Sequence, residues 1–104
     1  MLRLVTPERG ETAMLTQDIA QKLNMPPEAL ERASLRVYLE ARRREIEAQL
    51  FLLVKKHGVQ TVQEFDAAVQ AGRIRETDGF EDFFVFDRLE AERDKVLEAL
   101  QSLP

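Results

Sequence analysis

The chain contains no cysteine, which excludes disulfide bonds and thiolate metal sites. Its single histidine, His57, has no surrounding set of residues from which a catalytic triad or a histidine metal site could be assembled. None of the four glycines belongs to a phosphate-binding loop. We therefore expect a protein that is not an enzyme and that needs no metal or other cofactor.

Long hydrophobic runs are also missing. The longest, from Leu50 to Val54, is too short to span a membrane, and the apolar stretch after Met1 is too short for a signal peptide. We expect a cytoplasmic protein that makes no membrane contact.

Acidic charge is concentrated in the second half of the chain. Residues 28–60 carry seven basic and five acidic side chains, whereas residues 61–104 carry five basic and eleven acidic ones. A surface with a net charge of −6 repels nucleic acid. Any DNA contact is therefore expected to come from the N-terminal half.

Proline, glycine and capping residues predict a single all-α domain. Residues 1–15 are expected to form an irregular arm or a small β-hairpin around Pro7 and Gly10. Thr16 is a candidate cap for a short helix over 16–24. A long central helix is predicted over 27–57. It begins after the helix-breaking pair Pro26-Pro27 and ends before Gly58. Two further helices, over 61–71 and 80–102, are expected to pack on it.

The long central helix is apolar on two opposite sides. One side carries Leu30, Val37, Ala41, Ala48 and Phe51, and the other carries Leu35, Leu39, Ile46, Leu50 and Leu53. At about 45 Å such a helix is longer than a compact domain of this size, which is about 34 Å across. We therefore expect a coiled-coil-like homodimer, with the second set of five residues at its interface.

The start of the last helix combines aromatic and acidic side chains. Phe80, Phe83 and Phe84 crowd its first turns together with Glu81 and Asp82. Exposed aromatic groups in an acidic surrounding are suited to a basic protein partner, so these five residues are the predicted partner-binding surface.

Residues 16–33 have the spacing of a helix–turn–helix, which suggests weak DNA binding through residues 12–36. Only Arg32 and Arg36 are placed to read bases, and Glu28 and Glu31 beside them would repel phosphate.

Residues 15–57 resemble the helical part of a ribbon-helix-helix antitoxin, through the segment from Pro27 to Glu40. The sequence from Ala41 through Lys56-His57-Gly58-Val59 to Asp87 resembles short prokaryotic proteins of toxin–antitoxin loci. The resemblance implies a dimer whose N-terminal part touches operator DNA and whose acidic C-terminal part engages a toxin. Residues 11–15, at the position of that family's DNA-reading strand, carry no basic side chain.

The leading hypothesis is thus a non-enzymatic, antitoxin-like helical homodimer that binds a protein partner such as a basic toxin. A weak DNA-binding regulator using residues 12–36 is one alternative. A structural oligomerisation module is the other.

Overall fold

The computed structural model describes residues 9–104, apart from the side chains of Arg9 and Asp78. These residues form four α-helices, α1 (Arg9–Lys22), α2 (Pro27–His57), α3 (Val62–Gln70) and α4 (Glu76–Ser102). Residues 9–104 contain no strand, so the predicted all-α fold is confirmed. The contacts group into two compact units, of which the first ends at Val37 and the second runs from Tyr38 to Pro104.

The first unit contains α1, a tight turn and the beginning of α2. The predicted hairpin is wrong for residues 9–15, which belong to α1, and its other part lies outside the described residues. Thr16 is not a cap but a mid-helix residue, whose Oγ1 donates to the Thr12 carbonyl oxygen at 3.0 Å. Helix α1 ends at Lys22. The turn that follows contains Asn24 at a φ of 56°, the left-handed conformation of a helix C-terminal cap.

Helix α2 is unbroken over 31 residues, with the predicted bounds. Pro27 occupies its first position, where a missing N–H costs nothing. Gly58, at a φ of 69°, follows its last residue and turns the chain towards α3.

The second unit contains the hydrophobic core, which is built where α3 and α4 cover one side of α2. Phe65 is fully buried, and its ring centroid lies 6.0 Å from that of Phe86 and 6.0 Å from that of Phe83. Edge-to-face aromatic contacts of this kind add to the free energy gained by burial. The buried residues around Phe65 come from all three helices and from the α2–α3 corner, and are Ile46, Leu50, Leu53, Val59, Ala68, Phe86 and Leu89.

The predicted dimer stripe is therefore largely occupied by the chain itself. Ile46, Leu50 and Leu53 belong to this core, because the corner at Gly58 returns α3 and α4 over them. Leu39 is half-buried, and Leu35, in the first unit, is 45% exposed. The uncovered side of α2 in the second unit is the opposite one, which carries Ala48, Phe51 and Leu52.

Helix α3 has a capped amino end at Thr61. The Thr61 hydroxyl accepts from the Glu64 N–H at 3.1 Å, and the Glu64 carboxylate accepts from the Gln60 N–H at 2.7 Å. Glu90 of α4 accepts from the Val62 N–H at 3.1 Å. This last bond attaches α4 to the amino end of α3, where carboxylates are favoured by the helix dipole.

A charged contact joins α2 to α4 at the side of the core. The Arg42 guanidinium donates to Glu45 at 2.9 Å and to Glu92 of α4. These hydrogen bonds raise the pKa of Arg42 above its ordinary value. The neighbouring Arg43 pairs with Glu40 at 2.7 Å. Arg42 and Arg43 therefore lie on a part of α2 where each has an acidic partner.

Phe65→Ala is expected to destabilise the protein by about 3–5 kcal/mol, because it leaves a cavity between three helices. Phe84→Ala is the matched control, since that ring is 57% exposed. The free energy of unfolding of both variants is measured by urea denaturation. Equal losses of stability in the two variants would contradict the central position of Phe65.

Candidate protein-binding site

Two phenyl rings stand out from the surface at the start of α4. Phe80 is 63% exposed and Phe84 is 57% exposed, and their centroids lie 5.2 Å apart in an edge-to-face contact. Phe83 is half-buried and lies 5.7 Å from Phe84 and 6.0 Å from Phe65. The exposed rings are thus held by a chain of ring contacts that ends in the core.

Gly79 permits this arrangement. Helix α4 begins at Glu76, four residues before the predicted start, and Gly79 is a buried residue in its first turn. A Cβ atom at Gly79 would lie 3.1 Å from both Phe65 Cε1 and Ile74 Cγ2. The absent side chain lets the backbone of α4 approach Phe65, which leaves Phe80 and Phe84 pointing away from the core.

A small cavity opens beside these rings, with a volume of about 210 Å³. One wall comes from α3 and the other from α4. The lining residues are Asp66, Val69, Glu76, Gly79, Phe80, Phe83 and Phe84. The sequence predicts Phe80, Phe83 and Phe84 on one surface, but it does not predict the carboxylates of Asp66 and Glu76 there. The spacing of Glu76 four residues before Phe80 is a signal that could have found the first. No sequence pattern indicates Asp66, because the packing of α3 on α4 brings it there.

Glu81 and Asp82, the predicted acidic partners of a ligand, have different environments. Glu81 is exposed. Asp82 instead binds within the chain, since Lys56 Nζ donates to its Oδ2 at 2.7 Å and His57 Nε2 lies 2.8 Å from the same oxygen. A carboxylate accepts only, so the His57 ring carries a hydrogen on Nε2. Asp82 therefore fastens α4 to the end of α2, and its contact with a partner stays a prediction.

The electrostatics of this contact follow from its two donors. Hydrogen bonds from Lys56 and His57 lower the pKa of Asp82 below its ordinary value, against a smaller opposing effect of burial. The His57 side chain is only 6% exposed and meets the Phe65 ring edge-on at 4.6 Å. His57 thus bonds a neighbouring helix in addition to ending α2.

The residues predicted to contact DNA lie in the first unit. Arg32 and Arg36 are both exposed, one turn apart on α2. A shallow depression in the same unit is lined by Glu28 and Glu31. The structure therefore leaves the two arginines accessible, with acidic side chains on the same helix.

Other kinds of site have few components here. Among the described side chains of residues 10–104, which leave out Asp78, no group of three or more histidine, aspartate or glutamate residues could hold a metal ion. Over the same range, no helix is both long and apolar enough to cross a membrane. The aromatic and acidic groups at the start of α4 form the most distinctive side-chain cluster of the second unit.

The fold and this cluster define a small all-α protein with a local aromatic and acidic surface. Residues 14–104 match the model of the Uncharacterized protein MJ0235 family, and the chain belongs to that family. No curated protein and no solved structure matches the chain.

Asp82→Asn is expected to lower the free energy of unfolding at neutral pH by about 1 kcal/mol, because Lys56 and His57 lose their charged acceptor. A lowered folded-state pKa contributes stability above the unfolded pKa of about 3.9, and that stability is lost as pH falls through the folded value. The difference between wild type and variant should therefore be constant above about pH 5 and shrink below about pH 4.

The matched control is Asp87→Asn, on an exposed residue of the same helix. It should change stability by less than about 0.5 kcal/mol. Urea denaturation of the three proteins between pH 3 and pH 7 provides the measurement. A difference between wild type and Asp82→Asn that persists unchanged at pH 3 would contradict the charged contact.

Proposed function

We propose that this chain is a non-enzymatic, antitoxin-like protein that binds a basic protein partner. The proposed contact is the aromatic–acidic surface, defined as Phe80, Glu81 and Phe84 with the adjoining carboxylates Asp66 and Glu76. The observation that carries the proposal is the pair of rings in edge-to-face contact, each more than half exposed, within the acidic half of the chain.

The first support is energetic. Burying a phenylalanine side chain stabilises a folded protein or a complex by roughly 1.5–3 kcal/mol. Covering the two adjacent exposed rings with a partner would therefore favour association. Single exposed apolar residues are common, but neighbouring ones more often mark an interaction surface. The ring contacts through Phe83 to Phe65 keep Phe80 and Phe84 in place, which lowers the entropy lost when a partner binds.

The second support is charge. Residues 61–104 carry a net charge of −6, and Asp66, Glu76 and Glu81 lie beside the rings. A field of one sign accelerates association with a partner of the opposite sign and rejects partners of the same sign. A basic protein is therefore the class of partner that this surface favours, as the resemblance to antitoxins also implies.

We further propose that the protein acts as a homodimer, through the outer face of α2 in the second unit. This face is defined as Ala41, Arg44, Ala48, Phe51 and Leu52. The first four are spaced 3, 4 and 3 residues apart, which is the repeat of a two-helix seam. A second copy supplies a matching helix, the alanines allow close approach, and a polar Arg44 within the seam would fix its register.

Phe80→Ser combined with Phe84→Ser is expected to weaken partner binding at least about a hundredfold, since two buried anchor side chains are lost. The test is co-expression of the tagged chain with the products of its adjacent genes, followed by calorimetry on the basic protein that copurifies. A variant with Val37→Ser and Tyr38→Ser is the matched control, because it removes two exposed apolar side chains of α2 that belong to neither proposed surface.

Wild-type binding should also weaken as salt rises from 50 to 500 mM, because surface charges are screened. Absence of any copurifying basic protein would overturn the proposal. So would an affinity that the Phe80 and Phe84 substitutions leave intact.

Ala41→Glu combined with Ala48→Glu is expected to produce a folded monomer, because like charges would face one another across the seam. Sedimentation equilibrium at micromolar concentration gives the mass, and circular dichroism checks the helix content. Gln49→Glu, on an exposed position of the same helix, is the control and should remain dimeric. A wild-type protein that sediments as a monomer at a concentration on the order of 50 μM would refute the dimer.

A further inference from the structure

The cavity between α3 and α4 has two kinds of wall. Phe80, Phe83 and Phe84 provide ring surfaces, and Asp66 and Glu76 provide carboxylates. An aromatic ring attracts a cation over its face, and a carboxylate attracts the same cation at its edge. The walls are therefore complementary to a positively charged group that also has a flat or apolar surface.

The size of the cavity restricts the ligand further. The cavity has a volume of about 210 Å³, whereas pockets that hold drug-sized molecules have volumes of roughly 300–1,000 Å³. One long amino-acid side chain is a ligand of suitable size. Arginine fits the walls better than lysine, because its planar guanidinium stacks on aromatic rings and donates to a carboxylate in a fork.

The carboxylates have capacity for such a ligand. Gln70 Nε2 donates to Asp66 Oδ2 at 3.0 Å, which leaves the second oxygen of Asp66 to accept from a ligand. Glu76 is exposed in the first turn of α4. Its charge is needed there, because the amino end of a helix by itself repels a cation.

We propose that this cavity receives one arginine side chain of the protein partner, in contact with the Phe80 and Phe84 rings and paired with Asp66 and Glu76. The inference rests on the proposed function, and it specifies how the aromatic–acidic surface recognises a basic protein. Phe80 and Phe84 supply the apolar contact, while the two carboxylates select the cation.

The experiment uses the full chain labelled with ¹⁵N and a capped tripeptide that has arginine between two glycines. Contacts of this type are individually weak, so a Kd on the order of millimolar is expected. The amide signals of Asp66, Gly79 and Phe83 should shift with added peptide. The same tripeptide with citrulline, which has the shape of arginine without its charge, should shift them at least about tenfold less.

A variant with Asp66→Asn and Glu76→Gln should lose the response to the arginine peptide, again at least about tenfold. Its matched control is Asp87→Asn with Glu98→Gln, two exposed carboxylates farther along α4. The amide spectrum of each variant reports whether the protein is folded. Equal shifts with citrulline, equal shifts with a lysine peptide, or shifts confined to other surfaces would each overturn the arginine assignment.

The two proposals fail in different ways. If the peptide does not bind at the cavity while Phe80→Ser with Phe84→Ser still abolishes binding of the partner, the cavity assignment is wrong and the aromatic–acidic surface remains. If the peptide binds at the cavity but no basic protein copurifies, the proposed function is wrong and the cavity keeps its preference for arginine.

Discussion

The burial of the Phe65 ring is the contact on which the rest of the second unit depends. The ring touches Phe83 and Phe86 of α4 and the His57 ring at the end of α2. Gly79 approaches it so closely that a Cβ atom would press on it. One side chain of the shortest helix thus fixes where the other two helices meet.

The exposed site is a consequence of that core contact. Because the backbone of α4 lies against Phe65 at Gly79, the residues that follow in the helix are divided between inside and outside. Phe83 and Phe86 turn inward, whereas Phe80 and Phe84 stay in water. The Lys56–Asp82 contact fastens the same turn from the other side, so a change in the core would move the site with it.

Local signals in the sequence predicted the helices well, but they predicted poorly which helix faces pack against each other. Pro27 and Gly58 bound α2 through backbone chemistry that acts within a few residues, and Thr61 caps α3 for the same reason. Gly79 misled the prediction of α4, since glycine ordinarily interrupts a helix, and only the contact with Phe65 explains its place there. The two apolar sides of α2 look alike in sequence, so nothing local shows that Ile46 faces its own chain.

The distribution of the remaining exposed apolar residues bears on the two proposed binding surfaces. A small unit cannot bury all of its apolar surface, and scattered exposure would need no further explanation. In the second unit, Tyr38 is exposed singly, whereas the other large apolar residues that are exposed fall in pairs, Phe51 with Leu52 and Phe80 with Phe84. In the first pair, Lys55 Nζ lies 5.2 Å from the centroid of the Phe51 ring, and beside the second pair the carboxylates of Asp66 and Glu76 line the cavity. The two proposed surfaces therefore differ in their charged neighbours, so the proposals assign them to different partners, a second copy of the chain and a basic protein.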